Sequence, residues 1–174
     1  MKTIELKDIV GYLPYGLIGY QEGHICRIDM QFVARYGVQL CNYKPILRPM
    51  SDLTKEIIHR GEKFVPIVEI GKLLGYGNLE KYEIDGVIEY GFETRYADDA
   101  QGYTFGWHQT SQSFGVWYDQ IDEETPSVER LIMNVDAFDK LAEWMFDYRG
   151  LIPQGLAINM NTLDKNPYEI EHHE

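Results

Sequence analysis

Apolar residues at Leu6, Ile9, Val10 and Leu13 follow the i, i+3, i+4, i+7 spacing of one helix face. Thr3 offers a cap, Gly11 weakens the run and Pro14 stops it, so a short first helix is predicted, with Tyr15 to Gly19 as a tight connection. From His24 to Met30 the pattern turns to alternation, with Ile25 against Cys26 and Ile28 against Arg27 and Asp29, which predicts a strand. A second extended run, 37–47, carries Val38 and Leu40. It ends at Pro45 and Pro49, because proline cannot donate to a central ladder. Ser51 then reads as the cap of a helix, with Asp52 in its first turn, Leu53, Ile57 and Ile58 as its buried stripe and Gly61 as its end. A further helix is predicted to start near Pro66, with Ile67, Ile70 and Leu74 inward and Gly75 as its C-terminal cap.

In the second half, 80–96 reads as one or two strands (Tyr82, Ile84, Val87, Ile88, Tyr90, Phe92) broken at Asp85-Gly86, a hairpin dipeptide. Tyr103, Phe105 and Trp107 alternate with small or polar residues, as do Phe114, Val116 and Tyr118. Closing a four-residue turn over 109–112 sets Trp107 opposite Phe114, Phe105 opposite Val116 and Tyr103 opposite Tyr118, all on one face. Asp119 to Ser127 is an acidic loop containing Pro126. Asn134 or Asp136 caps a last helix whose stripe is Phe138, Leu141, Ala142, Met145 and Tyr148, and which Gly150 terminates. Residues 156–160 read as a short extended piece, and the tail 169–174 is expected to be disordered. There is no internal repeat or linker composition. The expectation is one α+β domain spanning 1–174, an antiparallel sheet of about four to six strands with helices on one face.

Composition supports a chain with a real core: 174 residues, 44% hydrophobic and 25% charged. The 13 tyrosines suit aromatic-rich strands. No apolar run is long enough for a membrane span, and 1–13 lacks the apolar stretch of a signal peptide. A cytoplasmic location is expected, and Cys26 and Cys41 agree with a reducing compartment. Charge changes the picture more. Up to Gly75 there are ten Lys+Arg and eight Asp+Glu, a net of +2, and the remainder carries six against twenty, a net of −14. Direct nucleic-acid binding is disfavoured, since it needs a basic footprint.

Candidate chemistry is sparse. His24 and Cys26 share a strand face, and Cys41 on a neighbouring strand would complete three zinc ligands, but there is no paired-cysteine spacing. Asp98-Asp99 and Asp119, Asp122, Glu123 and Glu124 flank the aromatic hairpin and could gather around Mg²⁺; as adjacent acids in a turn they read first as solvated residues. Ser111 with His108 or His59 lacks the strand–nucleophile–helix elbow of a hydrolase. Gly71, Gly75 and Gly77 come at a helix C-terminus with no following Lys-Ser/Thr, so they are caps and not a phosphate loop. Trp117 lies on the face opposite the aromatic row, where an exposed indole would be a contact candidate. Arg48 has no role that spacing explains; a neighbouring carboxylate or a partner would hold it.

The blocks Gly11-Tyr12-Leu13-Pro14-Tyr15-Gly16-Leu17, Lys44 to Ile57, Gly61 to Ile67, and Glu143-Trp144 through Gly150-Leu151-Ile152 and Gly155 to Ile158 to Asn161-Thr162-Leu163 resemble a family of short uncharacterised proteins from phages, prophages and mobile elements of gut anaerobic bacteria. The resemblance covers both ends and not 76–135. It implies no activity, since the family has no assigned catalytic residues to carry over, and no cofactor is expected. The functional expectation is a non-enzymatic accessory protein of a phage or mobile element that acts by protein–protein contacts. The binding candidates are Trp117, Asp119, Asp122, Glu123, Glu124 and Arg48. Two alternatives stand beside it: an acidic DNA mimic that inhibits a DNA-binding protein, and a small metal-dependent hydrolase built on the acidic loops.

Overall fold

A computed structural model describes residues 3–37, 42–84, 86–96, 99–118 and 127–169. The chain is α+β and divides into two compact units: Met1–Asp52, Ile58–Lys63 and Phe138–Glu174 in the first, Leu53–Ile57 and Phe64–Ala137 in the second.

In the first unit helix α1 (Leu6–Ile9) opens on a capping box between Glu5 and Asp8, so Glu5 and not Thr3 is its cap. Ile9 and Leu13 are buried while Leu6 and Val10 are exposed, so only half of the predicted face meets the core. Strands β1 (Ile18–Gln21) and β2 (His24–Arg27) form a hairpin through Glu22 and Gly23, both at positive φ. The predicted strand stops at Arg27. Asp29 instead caps helix α2 (Met30–Tyr36), its Oδ1 accepting the Phe32 N–H at 2.8 Å. Strand β3 (Lys44–Leu47) pairs antiparallel with β1, and its other edge takes β11 (Ile158–Asn159) in parallel, giving the order β11-β3-β1-β2. Pro45 faces Gly19 of β1, and the β11 pairing begins only at Ile46, so the proline sits where the ladder is one-sided. Around this sheet Ile9, Tyr12, Leu17, Ile28, Ile46 and Leu47 are fully buried.

The helix predicted from Ser51 does not form. Met50–Asp52 is a single 3-10 turn, followed by strand β4 (Ile57–His59), which pairs with β5 (Glu62–Phe64). Arg60 and Gly61 join them with φ of +51° and +81°, the two positive angles of a type I′ turn. Gly61 therefore serves a hairpin and not a helix end. Along β4 burial alternates, with Ile57 and His59 buried and Ile58 exposed, which is strand periodicity.

In the second unit helix α3 (Pro66–Leu73) starts and ends as predicted, with Ile67 and Ile70 buried and Gly75 at φ +90°. Five strands form one antiparallel sheet: β6 (Glu80–Ile84), β7 (Val87–Tyr96), β8 (Asp99–His108), β9 (Ser113–Tyr118) and β10 (Ser127–Ile132), ordered β10-β9-β8-β7-β6. The β8–β9 register pairs Trp107 with Phe114, Phe105 with Val116 and Tyr103 with Tyr118, as the alternation required. Phe105, Phe114 and Val116 are buried, and Tyr76 packs its ring 5.3 Å from both Phe92 and Phe105. Strand β10 was not predicted from the sequence.

Helix α4 (Val135–Glu143) is capped by Asn134, whose Oδ1 accepts the Ala137 N–H at 3.1 Å. It ends well before Gly150, the predicted terminator. Met145 turns left-handed at φ +60°, and Phe146 forms a parallel bridge to Arg48. Among the described residues no helix is long and apolar enough to cross a membrane.

Candidate functional site

Trp117 is half-buried on the outer face of the second unit's sheet. A Cβ at Gly106 or Gly115 would lie 3.2 or 3.3 Å from its ring, and the His108 imidazole stacks on it at 6.1 Å. The indole thus lies across two glycines on adjacent strands, covering backbone they leave bare, which is a structural duty. Tyr82 does the same over Gly91 and bonds Thr104 Oγ1 at 2.8 Å. Asp119, Asp122, Glu123 and Glu124 lie outside the described residues, as does Asp98.

His108 and Ser111 do meet. The imidazole Nδ1 lies 2.7 Å from Ser111 Oγ and accepts the Ser111 N–H at 3.1 Å, and Ser111 Oγ lies 2.7 Å from Ser113 Oγ. Because Nδ1 takes a backbone N–H from three residues on, the ring closes the 109–112 turn, and the contact reads as turn chemistry. In the other unit His24 is exposed and Cys26 half-buried, its thiol pKa raised by burial, and Cys41 is outside the described residues. Among the described residues no three His, Cys, Asp or Glu side chains gather as metal ligands.

The first unit holds a cavity of about 650 Å³. Its walls come from four stretches: Tyr15, Gly16 and Ile18; Ile25 to Arg27 on β2; Ile58, Arg60 and Gly61 on the β4–β5 hairpin; and Pro167 to Glu169. Two large apolar side chains stand open at it, Ile25 at 53% exposure and Ile58 at 43%. Strand β2 ends its sheet, so among the described strands its outer edge has no β-partner. Arg27 lies over Gly16, its Nη2 4.0 Å from where a Cβ would stand. Arg60 donates to Tyr15 O at 3.4 Å and reaches Glu143 at 3.7 Å. One wall is rigid, because the Tyr168 hydroxyl accepts the Ile18 N–H at 3.0 Å and donates to Ile46 O at 2.8 Å.

Beside this cavity's hairpin and C-terminal walls lies a buried polar group. Arg48 is 6% exposed and His59 7%. Arg48 Nε and Nη2 and His59 Nε2 are buried without hydrogen-bond partners among the described residues. Desolvation lowers the Arg48 pKa, opposed by the charges of Asp52 and Glu169 and by Tyr168. Asp52 Oδ2 accepts from Asn161 Nδ2 at 2.8 Å. Arg48 is thus placed with carboxylates in its field, while one edge of its guanidinium has no acceptor on it among the described residues. The sequence singles out Arg48 as unexplained, offers His59 only as a base for Ser111, and places Ile25 on a strand and Ile58 in a helix's buried stripe. Nothing in the pattern marks either isoleucine as exposed, because the spacing of β4 reads as helix and buries Ile58.

No protein-family model, curated protein or solved structure matches this chain.

Proposed function

We propose that this protein is a non-enzymatic accessory protein of a phage or mobile element, and that it works by gripping an extended segment of a partner protein in the first unit's groove. The phage element of the reading rests on the sequence blocks at both ends of the chain. The binding element rests on one observation: Ile25, Cys26 and Arg27 of β2, a strand whose outer edge has no β-partner among the described strands, line the same cavity as the exposed Ile58. An unpaired strand edge offers backbone donors and acceptors for strand addition, and apolar side chains beside it select for alternate apolar residues. Arg27 and Arg60 at the rim favour an acidic residue on the incoming segment.

A photo-crosslinking residue placed at Ile25 or Ile58 in host cells should capture one discrete protein. The same residue at Met133, which is exposed but not in the cavity wall, should not. Ile25→Glu with Ile58→Glu should abolish capture by a probe at Glu169, an exposed residue of the cavity wall, without lowering the melting temperature, since both isoleucines are exposed. Equal capture from Met133, or capture that survives the double substitution, would sink the reading.

A second reading, an acidic DNA mimic, draws on the charge of the second unit, which carries fifteen Asp+Glu against five Lys+Arg, a net of −10. In that case the captured partner is a DNA-binding protein, and duplex DNA competes for it.

A further inference from the structure

A buried guanidinium keeps its charge only when its donors find acceptors. Arg48 is held from both sides by backbone: its N–H donates to Met145 O at 2.6 Å, and its carbonyl accepts the Asp147 N–H at 2.8 Å. Its guanidinium carbon stands 5.9 Å from the Phe146 ring centroid, so the fork's location is set by the fold. The two nitrogens without partners among the described residues, Nε and Nη2, are those whose N–H bonds run parallel along one edge of the fork. That edge is the one that takes both oxygens of a carboxylate or phosphate at once.

The surroundings narrow the ligand further. His59 Nε2 is likewise buried and unpartnered among the described residues, and the Arg48 charge acts on the His59 ring. Arg60 and Lys140 also face His59 with positive charge, and Glu143 opposes them. On the other side Arg48 faces Asp52, Glu169 and Tyr168. Glu169 Oε1 accepts from Asn166 Nδ2 at 2.8 Å and Asp52 Oδ2 from Asn161, so each of these acids already has an asparagine donor. A cation is disfavoured beside three basic groups, and a neutral donor would leave the parallel pair unmatched. We infer that the Nε–Nη2 edge of Arg48, with His59 Nε2 beside it, is a binding site for one oxyanion of the carboxylate or phosphate class. The site is separate from the groove, because neither Arg48 nor His59 lines the cavity.

The test uses the full chain, ¹⁵N-labelled, titrated with sodium phosphate and with sodium acetate at constant ionic strength, sodium chloride making up the balance. The Arg48 Nε–H resonance, assigned by through-bond correlation to its own side chain, should shift saturably with at least one of the two anions and stay still in chloride. Which anion acts identifies the source of the ligand. The same anion should raise the melting temperature of the wild type and not of Arg48→Lys, which keeps a charge and loses the parallel edge. His59→Gln should raise the half-saturation concentration about five-fold, the weight of one hydrogen bond. If Arg48 Nε–H is unmoved by both anions, the orphan donors are served by water alone and the inference fails. It fails equally if only Arg27 and Arg60 respond, since that is surface binding. The wild-type spectrum decides the matter even if Arg48→Lys does not fold.

Discussion

His59 makes a contribution to the stability of the first unit that depends on pH. Desolvation, reinforced by the Arg60 charge, lowers its pKa to about 4 from 6.5, with Glu143 opposing and Arg48 and Lys140 adding to the effect. Between those values the unfolded chain binds a proton at this residue and the folded chain does not. Its contribution to stability is therefore complete above pH 6.5 and is lost as pH falls through 4. At full extent the loss is about 3 kcal/mol, since a tenfold change in proton affinity between the folded and unfolded chain is worth about 1.4 kcal/mol. Asp147 works with the opposite sign. Desolvation raises its carboxyl pKa despite N–H bonds from Leu151 and Ile152, both at 2.7 Å, so its protonation favours the folded chain as pH falls. Urea unfolding at pH 7 and pH 4 should show the wild type losing more stability than His59→Gln, by up to that amount. Asp147→Asn should lose more on acidification than the wild type does. An identical pH slope in wild type and His59→Gln would show that the imidazole is not held neutral.

Elements were legible where local pattern and tertiary role coincide. The β8–β9 hairpin was readable to the residue because both strands alternate and the turn length fixes the register. The segment from Ser51 to Gly61 was not, because Leu53 and Ile57 are buried whether the chain there is helix or strand, so their spacing could not discriminate. Ile58 and His59 carry the distinction, and the Arg60-Gly61 turn lacks the asparagine or aspartate that announces type I′. Strand β10 hid for another reason: its pairing with β9 slips between Val128 and Arg130, so the alternation that would have marked it is broken. The cavity was not legible, since the β4–β5 hairpin and the stretch at 167–169 reach the β1–β2 hairpin only through long-range packing. Trp117 shows the same limit. Its partners, Gly106 and Gly115, are visible only once the register sets them side by side under the ring. Because glycine leaves a strand without side-chain cover, Trp117→Ala should cost about 2 kcal/mol in urea denaturation. Crosslinking through Ile25 and Ile58 should survive it. Loss of crosslinking without loss of stability would instead make the indole a contact residue.

At the scale of the molecule, the first unit is built from both ends of the chain, and Tyr168 shows what that closure requires. Its hydroxyl joins Ile18 and Ile46 across sequence separations of 150 and 122 residues, bridging the adjacent strands β1 and β3. Burial pushes the phenol pKa far up, so the group stays a neutral hydroxyl and can both donate and accept throughout the working pH range. β11 reaches β3 from the same end of the chain, at Ile158 and Asn159. Contacts of such separation must overcome a large loop-closure entropy before they stabilise anything. Tyr168→Phe keeps the ring and removes only the hydroxyl, leaving the Ile18 N–H and the Ile46 carbonyl without that partner. Its cost should be about 2–6 kcal/mol, one desolvation penalty for each orphaned group. Amide hydrogen exchange gives the sharper reading. If the hydroxyl closes the unit, protection at Ile28, Leu47 and Ala142 should fall together by the amount of stability lost, because these amides open only when the whole unit does. If protection falls at Ile18 alone, Tyr168 is a local strap, and the closure rests on β11 and on the Arg48–Phe146 bridge instead.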